Sequence, residues 1–197
     1  MAKGGRGPRV ISGEAGGRRL VVPKGDRVRP TTDRVKESVF AALGDARLAG
    51  ARVLDLYAGS GALGIEALSR GAAAAVLVDR DAGAQRAIQA NLDATGLAGR
   101  ARLERRAAAS VVAGPPPPEA PFDLVLLDPP YDLPADALGS VLAALAEPGW
   151  LAPEATVVVE RSGADALPEL PPGWRSTWER CYGDTLVWFA KTIEDGE

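Results

Sequence analysis

A glycine-rich loop between an apolar run and a helical segment constrains the fold of this chain more than any other feature. The loop is Gly59-x-Gly61-x-x-Gly64, within the stretch VLDLYAGSGALGIEALSRG at residues 53–71. The apolar residues before it predict a strand at 52–57, and those after it predict a helix at 62–70. Glycines at such a turn permit positive φ angles and let a ligand approach the backbone, beside the unpaired N–H groups of the helix start. The pattern is typical of α/β proteins that bind a nucleotide-like cofactor.

The rest of the chain continues this alternation of strands and helices. Further strands are predicted at 74–79, 100–105, 122–128 and 155–161, helices at 82–95 and 134–146, and an antiparallel pair at 174–182 and 185–190. Strands that alternate with helices predict a doubly wound, mostly parallel seven-stranded sheet with an antiparallel C-terminal strand and helices on both faces. One more helix is predicted after Thr32 and Asp33, and Lys36 and Glu37 are expected on its exposed face.

The N-terminal region differs from the rest of the chain in charge. Residues 1–36 carry ten basic and three acidic side chains, a net charge of +7, whereas the whole chain has a net charge of −3. Apolar runs at 10–12 and 18–22 flank a glycine-rich turn and predict a β-hairpin. We therefore expect a basic N-terminal hairpin or arm at 1–30 that contacts nucleic acid, followed by one catalytic domain at 31–197. A solvated, solubilising tail is the alternative interpretation.

Composition excludes several classes of site. The chain has one cysteine, Cys181, and no histidine, which excludes an internal disulfide, a cysteine-based metal cluster and His-dependent triads. We expect no metal. No apolar run reaches the ~18 residues of a membrane helix, and the start MAKGGRGPRV lacks the apolar region of a secretory signal. A cytoplasmic monomer is the expectation.

The acidic residues around the glycine loop indicate which cofactor it holds. Asp79 ends the second predicted strand, twenty positions after Gly59, where a carboxylate can accept both hydroxyls of a ribose. Sites for NAD and for S-adenosyl-L-methionine share that feature. Asp55 lies inside the strand before the loop, and its negative charge favours a cofactor with an ammonium and a sulfonium over a pyrophosphate. No residue pattern resembles a hydride-transfer site.

The stretch FDLVLLDPPYD, residues 122–132, supplies the second half of a possible active site. It ends the fourth predicted strand, so Asp128 to Tyr131 are expected at the same sheet edge as the glycine loop. Pro129 and Pro130 stiffen the turn and leave backbone carbonyls free to accept hydrogen bonds. The Asp128 carboxylate is a second acceptor and the Tyr131 ring a flat face, a combination that suits a planar base with an exocyclic amino group.

With these motifs in order, the chain resembles the Rossmann-like class I methyltransferases that depend on S-adenosyl-L-methionine and carry an Asp/Asn-Pro-Pro-aromatic motif. It is most similar to the bacterial enzymes that methylate guanine N2 in small-subunit (16S) ribosomal RNA. The resemblance covers roughly residues 9–190 and includes the blocks RVISGEAGGRRLVVP, RPTTDRVKESVFAAL, LDLYAGSGALGIEALSRGA and LLDPPY. The first two blocks are specific to these enzymes, and the last two are shared by many amino-methylating enzymes.

The resemblance implies roles for individual residues. It implies that ribosomal RNA, or the assembling small subunit, is the partner, and that Asp128, Pro129, Pro130 and Tyr131 receive the guanine. Implied cofactor-binding residues are Pro30, Thr31, Thr32, Asp55, Tyr57, Ala58, Gly59, Ser60, Gly61, Asp79, Arg80, Ala107 and Ala108; implied RNA-binding residues are Arg9, Arg18, Arg19, Arg27 and Arg29. The family usually has a polar or acidic residue near the adenine amine, where this chain has Ala107 and Ala108, so a backbone group would have to serve there.

Three other functions remain open at this point. One is methylation of another amino group, adenine N6 in a nucleic acid or a protein glutamine. The second is an NAD-linked oxidoreductase, because the glycine loop alone does not exclude it. The third is an RNA-binding module without catalytic activity, against which the intact Asp128-Pro-Pro-Tyr turn argues.

Overall fold

A single mixed sheet organises the chain. The computed structural model describes residues 7–23, 33–163 and 167–193. Its strands are β1 (Arg52–Leu56), β2 (Ala74–Val78), β3 (Ala101–Glu104), β4 (Phe122–Leu127), β5 (Leu151–Ser162), β6 (Trp174–Tyr182) and β7 (Thr185–Thr192). They lie in the order β3-β2-β1-β4-β5-β7-β6. β1 to β5 run parallel, and β7 is antiparallel to both of its neighbours. The predicted doubly wound, mostly parallel sheet is therefore confirmed.

Helices connect the parallel strands and cover both faces of the sheet. They are α1 (Asp33–Leu43), α2 (Asp45–Leu48), α3 (Ala62–Ser69), α4 (Ala82–Thr95), α5 (Ala108–Val112) and α6 (Ala135–Leu145). α1 to α4 pack on one face, against side chains such as Val53 and Leu77. α5 and α6 pack on the other, against side chains such as Leu54 and Val125. Successive strand residues thus enter opposite cores, which explains why the strands are continuously apolar. No helix in the described ranges is long and apolar enough to cross a membrane.

The N-terminal segment, residues 7–23, folds back on itself but does not form two strands. One antiparallel bridge joins Arg9 and Arg19, and Val10 N–H donates to the Arg18 carbonyl at 2.9 Å. The predicted hairpin is therefore reduced to a single bridge. Val10, Ala15 and Leu20 are buried in the core on the α1–α4 face. The segment thus packs as part of the folded body over these residues.

One expectation for α1 is wrong. Lys36 was expected on the exposed face, yet its side chain is fully buried, whereas the neighbouring Glu37 is exposed as expected. The Lys36 ammonium donates to the Arg9 carbonyl and lies 3.7 Å from the Glu66 carboxylate of α3. Burial lowers the pKa of Lys36, and the Glu66 charge opposes that shift. The lysine is buried because its partner, distant in sequence, compensates its charge.

Candidate active site at the carboxyl edge of β1 and β4

The loops after β1 and β4 meet where the strand order reverses. β1 lies between β2 and β4, and Leu56 is in register with Val78 on one side and Leu127 on the other. Each of these paired strand ends is followed directly by one residue of interest: Tyr57 after β1, Asp79 after β2 and Asp128 after β4. The crevice at this reversal is where open α/β sheets bind ligands. The structure thus brings the glycine loop, Asp79 and the Asp128–Tyr131 turn to one edge.

The glycine loop is a tight turn with several positive φ angles. Gly59 and Gly61 have φ values of 58° and 77°, and Tyr57 has the unusual value of 64° for a residue with a side chain. Ala58 N–H donates to the Val78 carbonyl at 2.9 Å, and Gly61 N–H donates to the Ala58 carbonyl at 2.7 Å. Gly61 precedes the first residue of α3 in the left-handed region. Glycine is needed at both loop positions, because a Cβ is unfavourable there.

Asp55 lies under this loop as a buried acid. Its side chain is 1% exposed, and it accepts a hydrogen bond from Gly64 N–H at 2.8 Å. Burial raises the pKa of Asp55 to about 8; the charges of Asp128 and Asp79 add to this, and the Gly64 hydrogen bond opposes it. A cation bound in the crevice would lower this pKa again. A positively charged ligand would therefore gain from the ionised Asp55 carboxylate.

Asp79 holds the glycine loop against the end of β2. Its carboxylate accepts from Gly59 N–H at 2.9 Å and from Asp81 N–H at 2.8 Å. The Gln85 amide donates to the carbonyls of Asp79 and Glu104 at 3.0 and 3.2 Å, which ties the ends of β2 and β3 together. A carboxylate has about four acceptor positions, and the described residues use two of those on Asp79. Further hydroxyl donors can bind to the same side chain.

The Asp128–Tyr131 turn presents its aromatic ring to solvent. Asp128 is half-buried and Pro129 buried, whereas Pro130 is exposed and Tyr131 is 45% exposed. Leu133 N–H donates to the Pro130 carbonyl at 2.9 Å. An exposed aromatic side chain on a turn stiffened by prolines is available for stacking on a planar ligand.

Arg161 supports the same turn from β5. Its side chain is 3% exposed, and its guanidinium donates to the Leu133 carbonyl at 2.8 Å. The positive charge of Arg161 also acts on Tyr57, the residue after β1. Burial raises the pKa of the Tyr57 phenol, and the charges of Arg80 and Arg161 oppose this shift. The phenol of Tyr57 thus stays protonated near neutral pH. Arg161 is not among the site residues predicted from the sequence, although its place at the carboxyl end of a predicted strand is a usable signal.

Ala107 and Ala108, for which the family resemblance implies a place near the adenine, come shortly after β3. Ala107 has extended backbone angles and immediately precedes α5. Its carbonyl accepts hydrogen bonds from the N–H groups of Ser110 and Val111, and Ala108 is buried. Neither side chain carries a polar atom, so a ligand could be held here by backbone groups alone.

The residues implied in RNA binding fall into two groups. Arg9, Arg18 and Arg19 are exposed on the N-terminal segment. The Arg9 guanidinium pairs with Asp33 at 3.3 Å, and that of Arg18 donates to the Ala94 carbonyl. The remaining residues for which a role was implied, Arg27, Arg29, Pro30, Thr31 and Thr32, lie outside the described residues.

Asn91 of α4 is a second residue near the site that sequence analysis did not assign. It is 2% exposed and donates to the Ser60 carbonyl of the glycine loop at 2.8 Å. Its spacing from Ile88 and Leu92 places it on the buried face of α4. A polar residue at a core position of an amphipathic helix is a signal for a specific hydrogen-bonding role.

Comparison with known proteins agrees with this geometry. The family model described as "Conserved hypothetical protein 95" matches residues 8–191. "Ribosomal RNA small subunit methyltransferase D" of Escherichia coli K12 is 40% identical over 189 residues, which cover 96% of this chain and 92% of that protein. "Putative rRNA methyltransferase YlbH" of Bacillus subtilis is 39% identical over 179 residues, 91% of this chain and 96% of that protein.

A solved structure extends the similarity to the whole fold. The structure described as "Putative methyltransferase yhhF from Escherichia coli" superposes with a TM-score of 0.84 at 36% identity, covering 96% of this chain and 99% of that one. The glycine loop, Asp79 and the Asp128–Tyr131 turn all lie within the matched residues 8–191. The chain therefore belongs to the conserved hypothetical protein 95 family, the family of the ribosomal RNA small subunit methyltransferase D proteins.

Proposed function

We propose that this protein transfers a methyl group from S-adenosyl-L-methionine to the exocyclic N2 of a guanine in small-subunit ribosomal RNA. The observation that carries the proposal is the register of β1 with β4, which brings the buried Asp55 and its glycine loop beside the Asp128–Tyr131 turn. The relatives named as ribosomal RNA methyltransferases support the choice of RNA as substrate.

The residues of the crevice fit the methyl donor. Burial, with the nearby charges of Asp128 and Asp79, raises the pKa of the Asp55 carboxyl, and a ligand with an ammonium and a sulfonium would favour its ionised form. The loop from Tyr57 to Gly61 would hold the methionine part, Asp79 the ribose hydroxyls, and Arg80 and the backbone at Ala107–Ala108 the adenine side. When bound, the sulfonium supplies an electrophilic methyl group: the methyl–sulfur bond breaks as the new carbon–nitrogen bond forms, and adenosyl-homocysteine leaves.

The Asp128–Tyr131 turn would orient the guanine for attack. The Asp128 carboxylate and a carbonyl of the proline turn accept the two hydrogens of the amino group, while the Tyr131 ring stacks on the base. These hydrogen bonds draw the amino group toward tetrahedral geometry, so its lone pair is localised on nitrogen. No strong base needs to act first, because the methylated ammonium is acidic and loses its proton to solvent afterwards. Most of the rate acceleration then comes from positioning.

The N-terminal segment would hold the RNA by its phosphates. Arg9, Arg18 and Arg19 are exposed there, and Arg27 and Arg29 add charge in the same part of the sequence. The target guanine must be unstacked to enter a pocket at the sheet edge. We propose that a basic arm at 1–30 and a catalytic domain at 31–197 work together in this way, as a cytoplasmic monomer that acts on ribosomal RNA or an assembling small subunit.

Methyl transfer from tritiated S-adenosyl-L-methionine tests the proposal. Small ribosomal subunits, naked ribosomal RNA, DNA and protein are offered in competition, and the labelled product is digested to nucleosides or amino acids. The proposal predicts label in N2-methylguanosine from ribosomal RNA. Label in N6-methyladenine or in methylated glutamine would assign another amino methyltransferase. Binding of NADH without binding of adenosyl-homocysteine would point to an oxidoreductase instead.

A further inference from the structure

The amide of Asn91 joins two segments that are far apart in the sequence. Its nitrogen donates to the Val21 carbonyl at 2.9 Å and to the Ser60 carbonyl at 2.8 Å. Its oxygen accepts from Val21 N–H at 2.8 Å. Both hydrogens of the amide nitrogen and one position on the oxygen are therefore used, and the side chain is 2% exposed.

These three bonds require an asparagine. Aspartate offers no hydrogen for the two carbonyls, and glutamine is one methylene longer, so it cannot place its amide at the same point on α4. The amide pairs with both the N–H and the carbonyl of Val21, as a neighbouring strand would. Loss of such a side chain in a buried position leaves its partners without their hydrogen bonds, which is more costly than loss of an exposed one.

The two segments that Asn91 joins have different roles in the proposed reaction. Ser60 lies in the glycine loop, between Gly59 and Gly61, where the methyl donor would bind. Val21 lies in the N-terminal segment, two residues after Arg19, where RNA would bind. Other contacts of the N-terminal segment go elsewhere: the N–H groups of Ile11 and Ser12 donate to Glu66 of α3. Among the described residues, Asn91 is the side chain bonded to both the glycine loop and this segment.

We propose that Asn91 is a positioning residue that couples RNA binding by the N-terminal segment to methyl-donor binding at the glycine loop. This inference rests on the proposed function. A ligand that orders the glycine loop fixes the Ser60 carbonyl, and through the same amide it fixes Val21, so the second ligand loses less conformational entropy on binding. Because such coupling is reciprocal, RNA tightens binding of the donor by the same factor.

Hydrogen–deuterium exchange tests the link in the protein without ligands. In Asn91→Ala, peptides that contain residues 20–22 and 59–61 should both exchange faster than in the wild type. Gln89→Ala is the matched control, because Gln89 is exposed on the same helix and its side chain donates to Asp93 of that helix. Faster exchange in both peptides of Asn91→Ala, with no change in Gln89→Ala, supports the inference. Unchanged protection of the 59–61 peptide in Asn91→Ala overturns it.

The coupling itself is measured by RNA binding with and without adenosyl-homocysteine. The wild type and Gln89→Ala should bind small-subunit ribosomal RNA about 5-fold or more tightly when adenosyl-homocysteine is present, and Asn91→Ala should lose this enhancement. Val21→Pro is the second variant: it removes the N–H that donates to the Asn91 oxygen and leaves both carbonyl acceptors of the Asn91 nitrogen in place. It should reduce the enhancement below the wild-type value even if Asn91→Ala does not fold. A wild type that binds neither ligand would contradict the proposed function. A wild type that binds both independently, or variants that couple as the wild type does, would overturn this inference alone.

Discussion

The Asp55 carboxylate, inside β1, accepts a hydrogen bond at 2.8 Å from the N–H of Gly64, in the first turn of α3. The same contact explains the third glycine of the motif. A Cβ at Gly64 would lie 2.9 Å from the Asp55 Oδ2 and 3.0 Å from the Leu77 Cδ2. β1, the Asp55 side chain and α3 are therefore packed against one another directly beneath the ligand crevice. Gly64 is required for this close packing, whereas Gly59 and Gly61 are required for the positive φ angles of the turn.

Gly64→Ala should destabilise the protein because the new methyl group has no space. We expect a loss of about 1–3 kcal/mol in the free energy of unfolding, measured by urea denaturation, together with weaker binding of adenosyl-homocysteine. Gly99→Ala is the control, since a Cβ at Gly99 would meet no atom within 4 Å. Equal stability of the two variants would show that the Asp55–Gly64 packing tolerates a side chain.

Asp55→Asn should remove a pH dependence of stability. The pKa of Asp55 is about 8 in the folded protein and 3.8 when unperturbed. Between these values the folded state binds one more proton at this site than the unfolded state, so the contribution is full below about pH 4 and is lost as pH rises toward 8. The Tm of the wild type, measured without ligand, should therefore fall relative to that of Asp55→Asn between pH 5 and 8. Parallel curves for the two proteins would contradict the raised pKa.

The buried pair of Lys36 and Glu66 should contribute strongly to stability. The Glu66 carboxylate accepts from Ile11 N–H at 2.7 Å and from the Arg70 guanidinium at 2.7 Å, in addition to its contact with Lys36. Glu66→Gln should cost about 3–5 kcal/mol in the free energy of unfolding, because it leaves the buried Lys36 ammonium without its adjacent counter-charge, although Arg70 keeps its pairing with Asp45. Lys36→Met should cost less, because Glu66 keeps Arg70. The exposed Glu37→Gln is the control, and a Glu66→Gln variant as stable as this control would refute the role of the pair.

Arg19→Gln should weaken RNA binding by a purely electrostatic route. The logarithm of the RNA-binding constant falls with the logarithm of the salt concentration, and loss of one phosphate contact should make this slope shallower by roughly 0.7–0.9. Binding of adenosyl-homocysteine should not change. Arg175→Gln, an exposed arginine on the edge strand β6, serves as the comparison. Identical salt slopes for both variants would remove Arg19 from the RNA-binding surface.

Asp128→Ala should separate catalysis from donor binding. Without the carboxylate, the amino group of the base loses one of its acceptors and its orientation, so we expect methyl transfer to fall roughly 100-fold or more. Adenosyl-homocysteine should still bind, and the exposed neighbour Asp132 provides the control Asp132→Ala. Transfer by Asp128→Ala within a few-fold of the wild-type rate would show that the turn does not orient the base.

Local sequence patterns were enough to predict most of the fold. The boundaries of α4 follow from Asp81, whose side chain accepts from Ala84 N–H at the start, and from Gly96, which is left-handed at the end. The strands follow from apolar runs buried on both faces. The carboxyl-edge location of the glycine loop and of Asp128 follows from strand polarity alone. The short helices α2 and α5 have too few residues for a periodic signal, and they were not predicted.

Features that depend on distant partners could not be predicted from the sequence. Lys36 is buried because α1 packs its ammonium beside Glu66, a pairing that no local pattern indicates. The N-terminal hairpin is reduced to one bridge because its N–H groups bind side chains of the domain: Ile11 and Ser12 donate to Glu66, and Val21 to Asn91. In both cases tertiary contacts replace the expected local ones.

A crystal structure with adenosyl-homocysteine and a guanine nucleotide would show whether the glycine loop and the Asp128–Tyr131 turn hold the two reactants face to face. We expect the ligand amino group beside Asp55, the ribose on Asp79, and the ligand sulfur facing a guanine N2 held by Asp128 with Tyr131 against the base. A ligand bound away from the crevice between β1 and β4, or a guanine that makes no contact with the Asp128–Tyr131 turn, would contradict this arrangement.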